Sequence, residues 1–206
     1  MKLLNLFIIS TTLLLFISCI EHEVIPAPQP VIELECSFSA TINGNAYSLI
    51  ENVGGMYCES TKSKEINPSP QLSTATYNAI KESDIQLDYI NVSLGKLSFN
   101  ADVEPDPTLE QFSTFFNSNL NPNFSEGAVA GVEIVFRDAA GSLWFSNPAS
   151  TNPQNFTFTS LIQESDDLND YMKFNATFTC YMYNNLANPT DSVHVENAVF
   201  KSHFKR

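Results

Sequence analysis

The chain has 206 residues, and 23 acidic side chains against 10 basic ones give it a net charge of −13. That balance argues against a nucleic-acid binder, whose partner's phosphates need a basic face, and against adsorption to anionic lipid by charge alone. The length suits one domain with a real core, and 16 phenylalanines supply large apolar side chains for it.

The N-terminus opens on Lys2, the only charged residue before Cys19, followed by an apolar run from Leu3 to Phe16. A membrane-crossing helix needs about 20 apolar residues. This run is shorter, follows a single cation and ends in small residues, which is the signal-peptide pattern. "Phe16-Ile17-Ser18-Cys19" resembles the lipobox of bacterial lipoproteins, with Phe16 standing where those proteins usually carry Leu, Val or Ile. The resemblance implies cleavage before Cys19 and a diacylglyceryl group on its thiol. Residues 1–18 then form the leader, and 19–31, with Pro26, Pro28 and Pro30, an extended tether. The expected partner is a membrane, reached through this lipid anchor. No Asp follows Cys19, so the usual inner-membrane retention cue is missing. Glu21 and Glu23 resemble the acidic export cue of Bacteroidetes-type surface lipoproteins, and the expected location is the outer membrane, on either face.

Residues 32–206 are expected to form one domain. From Ile32 to Ile42 apolar and polar residues alternate strictly, placing Cys36, Phe38 and Ala40 on one buried face. The dipeptide Asn43-Gly44 then predicts a tight hairpin, with "AYSLI" returning. Further strands are predicted at "GMYCES", "QLSTATYNAI", "DIQLDYINVSLGKLSFN", "GVEIVFRD", "SLWFSN", "NFTFTSLIQ", "YMKFNATFTCYMYN" and "SVHVENAVFKSHF". "FRDAAGSLWF" is a second hairpin, opened by Asp138 and closed by Gly141. One helix interrupts the strands at "DPTLEQFSTFFNSN". Asp106 is its expected cap, Pro107 its first residue, and Leu109, Phe112, Phe115 and Phe116 a stripe packed over a sheet end. The fold class is therefore all-β: an antiparallel β-sandwich or flattened barrel with one packed α-helix.

The order of these segments resembles the uncharacterised β-rich lipoproteins of Bacteroidetes. The likeness rests on the F-x-A-x-I-N-G hairpin at Phe38–Gly44 and the T-F-x-C-x-x-Y strand at Thr177–Tyr183. It supports fold and location and implies no activity.

Chemistry is sparse. Cys36, Cys58 and Cys180 all fall on apolar parity, so one pair among them closes in an oxidising compartment, or all three are buried structural thiols. No zinc spacing joins them to His22, His194 or His203. Nucleophile elbows, metalloprotease signatures and phosphate loops are missing, so no cofactor and no catalytic residue is expected. The acidic runs Asp102-Glu104-Asp106 and Glu164-Asp166-Asp167-Asp170 lack EF-hand spacing and read as solvated loops. Trp144, Tyr181 and Tyr183 are expected as exposed rings on a sheet face, able to stack on a sugar. "Asp191-Ser192-Val193" resembles a Bacteroidetes O-glycosylation acceptor, which would place a glycan on Ser192. The expectation is a non-catalytic binding or scaffolding module whose partner is a glycan or an envelope protein. The alternatives are carbohydrate capture on those aromatics, or an envelope hydrolase working through carboxylates.

Overall fold

Alternation in the sequence becomes alternation in burial. Around β1 (Ser37–Ile42), Cys36, Phe38 and Ala40 are buried while Ser37 and Ser39 are exposed. Asn43 and Gly44 follow with φ of 49° and 80°, the left-handed pair a two-residue hairpin requires. Strand β2 (Asn45–Ile50) returns with Asn45 opposite Ile42. This computed structural model describes residues 32–127, 130–187 and 189–206. The expected leader, Cys19, His22 and the proline tether lie outside them.

The remaining strands are β3 (Met56–Glu65), β4 (Ser73–Ser83), β5 (Tyr89–Phe99), β6 (Gly131–Arg137), β7 (Leu143–Ser146), β8 (Asn155–Ser165), β9 (Asp170–Tyr183) and β10 (Ser192–Lys205). Every predicted strand is present, although β5 begins only at Tyr89 because residues 84–88 form the preceding loop. The strands pair antiparallel in one sheet of order β2-β1-β10-β9-β7-β6-β5-β4-β3, with β8 added beside β9. Long β9 pairs with β10 along one edge and serves two neighbours along the other: its first ten residues pair with β8, and Met182 and Tyr183 pair with β7. The sheet curls into a half-barrel, the barrel-like of the two expected forms.

Helix α1 (Leu109–Ser118) shows why it curls. Phe112 and Phe116 are fully buried on it. Tyr77 of β4 lies 5.0 Å from Phe112, while Phe204 of β10 stacks on Phe116 at 4.8 Å. These strands are far apart in the sheet order, so the helix packs against both limbs of the curled sheet. The expected cap is corrected. Thr108 caps the helix, its side chain accepting from the Gln111 amide at 3.2 Å while the Gln111 side chain accepts from the Thr108 amide at 2.9 Å. Asp106 instead pairs with Lys62 at 2.6 Å and Lys64 at 2.9 Å. Partial burial works against ionisation there, but the two ammoniums hold the Asp106 carboxyl below the usual range.

Curling brings edge strand β3 round to β10, where the Ser60 hydroxyl donates to the His203 carbonyl at 2.6 Å. Cys36, just before β1, is disulfide-bonded to Cys58 on β3 across this seam, with Cα atoms 6.3 Å apart. Cys180 is buried and unpaired, and burial pushes its thiol up to about 12. Fully buried Lys81 directs its Nζ at Cys36 Sγ, 3.3 Å away, and burial lowers its pKa.

His203 lies in the same seam, 6% exposed, with Nδ1 unpartnered. Burial depresses its pKa from 6.5 to about 4. Between those values the unfolded chain takes up a proton that the folded chain refuses, so stability falls as pH drops through that window. About 2 kcal/mol should be lost between pH 7 and pH 5. Urea unfolding at the two pH values measures the loss, and His203→Phe should flatten the difference.

Candidate binding pocket

The expected aromatic platform does not form as one surface. On short β7 the side chains alternate, and Trp144 points inward at 8% exposure, opposite Leu143 and Phe145. Tyr181 and Tyr183 lie half-buried on the other parity of β9. The Tyr181 ring stacks on His194 at 4.1 Å, and the Tyr183 hydroxyl meets the Ser150 hydroxyl at 3.2 Å. Trp144 is thus corrected from an exposed ring to a pocket wall, separate from the two tyrosines.

That pocket lies where the β1–β2 and β6–β7 hairpins meet the start of β10. Ile42, Asn43 and Asn45 come from the β1–β2 turn, Tyr47 from β2, Phe136 from β6 and Trp144 from β7. Its volume is about 250 Å³. Small-molecule clefts commonly run about 300–1,000 Å³, so this one suits a single ring rather than a long chain.

Polar groups fix the walls. Asp138 opens the β6–β7 turn, its Oδ1 accepting from the Ala140 and Ser142 amides at 3.0 and 2.9 Å. Its Oδ2 accepts from Trp144 Nε1 at 3.0 Å, which locks the indole edge. Gly141 has φ of 87°, so the tight turn that puts Asp138 beneath Trp144 favours glycine there. Tyr47 packs edge-on against Phe136, centroids 5.4 Å apart, and donates its hydroxyl to Asp88. Burial, then Asp88, holds that hydroxyl protonated far above the ordinary tyrosine range. Rings, a carboxylate and two asparagines therefore face one small space.

Comparison with protein-family models, curated proteins and solved structures finds no match to this chain. The pocket's chemistry must therefore be argued from its own residues.

Elsewhere the sequence-selected acids have local duties. Asp102 and Glu104 are exposed in the turn after β5. Glu164 pairs with Lys173 at 3.0 Å, Asp166 accepts the Leu168 and Asn169 amides, and Asp170 holds Arg206 at 2.6 Å. Among the described residues no group of three or more His, Cys, Asp or Glu is arranged to hold a metal ion. Ser192 is exposed at the first position of β10. Sequence reasoning missed Tyr47, Asp138 as a pocket residue, and Asn45. Only the hairpin motifs hinted at them.

Proposed function

We propose that this chain is a non-catalytic, lipid-anchored envelope protein that binds carbohydrate, one ring at a time, in the pocket walled by Trp144 and Tyr47. The observation carrying this reading is the pairing of aromatic faces with fixed polar groups in one small cavity. Sugar rings present apolar C–H faces to an aromatic ring and hydroxyls to carboxylates and amides. Asp138 and the side chains of Asn43 and Asn45 are the polar partners offered here. Asp138 and Asp88 are both committed to holding the aromatic walls. That use favours binding over acid–base turnover.

The anchor reading rests on the leader, Cys19 and the proline tether. Strand β1 starts beside Lys201 of β10, and its far end at Ile42 forms the pocket.

Two measurements test this. Intact mass of native, detergent-extracted protein should begin at Cys19 with acyl chains, and any extra hexose-type increment should vanish in Ser192→Ala. An unacylated mass cut elsewhere would remove the anchor. Glycan-array binding should weaken about tenfold in Asn45→Ala, which removes one polar partner from an exposed position. Unchanged binding in that variant would move the ligand to another surface.

A further inference from the structure

A second cavity lies on the outer face of the sheet, over β3 to β6. A bare stretch of backbone forms part of its floor. Gly95 of β5 stands directly opposite Gly131 of β6, and both line the floor. A Cβ at Gly95 would lie 2.7 Å from the Thr76 hydroxyl, and one at Gly131 would lie 2.5 Å from the Asn123 carbonyl oxygen. The bare pair thus lets Thr76 and the segment through Asn123 and Ser125 approach the sheet closely, and a cleft of about 340 Å³ lies among them.

Glycines apart, the side chains around it are polar or charged. Thr74, Thr76 and Asn78 rise from β4 and Ser93 from β5, with Ser125 and Glu133 on the far side. Several of these are already positioned: Ser93 donates to Asn78 at 2.6 Å, Asn91 donates to Ser93 at 3.1 Å, and Ser125, 1% exposed, accepts from the Gly127 amide at 3.2 Å. The lysines at the rim have carboxylate partners, one of them shared with Lys62. Lys64 is held by Asp106 at 2.9 Å, and Lys96 by Glu65 at 3.0 Å.

Glu133 is the exception. It is half-buried in the cleft and forms no ion pair among the described residues. Burial, and then the nearby Glu126 carboxylate, raise its pKa. A carboxylate withdrawn from water without a cation is costly, and a ligand bringing a cation relieves that cost. Hydroxyls and an amide beside it suit a ligand that also donates and accepts several neutral hydrogen bonds.

We propose that this cleft binds a small polyhydroxylated primary amine, such as an amino sugar with a free amino group, whose ammonium sits on Glu133 while its hydroxyls meet Thr76, Asn78 and Ser93. The site is separate from the Trp144 pocket and does not depend on it. Neutral sugars lack the charge that Glu133 calls for, and simple alkylamines lack the hydroxyls.

The test is calorimetric titration of the full chain in detergent with glucosamine, glucose and N-acetylglucosamine. Glucosamine should bind, and the two neutral sugars should bind the cleft at least about tenfold more weakly, as loss of a charge-assisted hydrogen bond implies. Glu133→Gln should erase the preference for the amine while leaving thermal unfolding unlowered. Thr76→Val, a nearly isosteric change, should weaken glucosamine binding with the fold intact. Emission from Trp144, the one tryptophan of the chain, should stay unchanged as glucosamine fills the cleft. Absence of glucosamine binding would overturn the proposal, as would glucose binding of equal strength that leaves Trp144 emission unchanged. Binding that survives Glu133→Gln and perturbs Trp144 would also overturn it, by placing the amine in the aromatic pocket.

Discussion

Phe116→Ala is expected to cost about 4 kcal/mol of folding stability, read as a lowered urea midpoint. Phe116 has no exposed surface and meets four other rings: Tyr77 at 5.5 Å, Phe112 at 5.0 Å, Phe115 at 5.3 Å and Phe204 at 4.8 Å. Truncation removes the transfer free energy of the ring and leaves a cavity that its rigid aromatic neighbours fill poorly. The position matters as much as the area. Tyr77 belongs to β4 and Phe204 to β10, so the ring sits between the two limbs of the curled sheet. Phe115→Ala, on the partly buried side of the same helix, should cost clearly less. Equal costs would mean that the helix is held by its flank rather than by the ring between the two limbs.

Loss of the Cys36–Cys58 disulfide is expected to cost about 3 kcal/mol, from the chain entropy regained when the cross-link between positions 22 residues apart is opened. The bond joins the segment before β1 to edge strand β3, which no backbone ladder connects. Its neighbour across the seam is held by the Ser60 hydroxyl on the His203 carbonyl. Reductant should therefore lower the denaturation midpoint of the native chain and leave the Cys36→Ser/Cys58→Ser chain unmoved. Buried Cys180 should resist alkylation in both until unfolding. A native midpoint that does not respond to reductant would show that side-chain packing alone closes the seam.

How much of this was readable beforehand depends on the range over which each feature is decided. The hairpin at Asn43-Gly44, the turn at Asp138–Gly141 and the apolar stripe of α1 are set within a few residues, and each appears where the sequence placed it. The helix cap shows the limit even at short range. The sequence offered Asp106 as the cap, but Asp106 pairs with Lys62 and Lys64, two residues on a distant strand, and Thr108 caps instead. Which cysteines pair depends on how far the sheet curls, and parity alone made all three equivalent.

Trp144 failed for another reason. In "LWFS" apolar residues occupy both parities, so alternation could not say which side faces inward. The cross-strand pairing settles it: Phe145 stands opposite Tyr183 and Val135 on the outer face, which sends Trp144 to the inner one. The bare Gly95–Gly131 pair was equally hidden, because nothing in either local sequence announces the other.

The central claim is that a sugar ring occupies the Trp144 pocket, and the single tryptophan makes this directly measurable. Emission of the full chain in detergent should be followed while it is titrated with the neutral saccharides that bind on a glycan array. The account predicts a saturable change in intensity or wavelength with the same midpoint as binding, and a midpoint about tenfold higher in Asn45→Ala. Saccharides that bind the protein while Trp144 emission stays flat, or an array on which nothing binds, would contradict it.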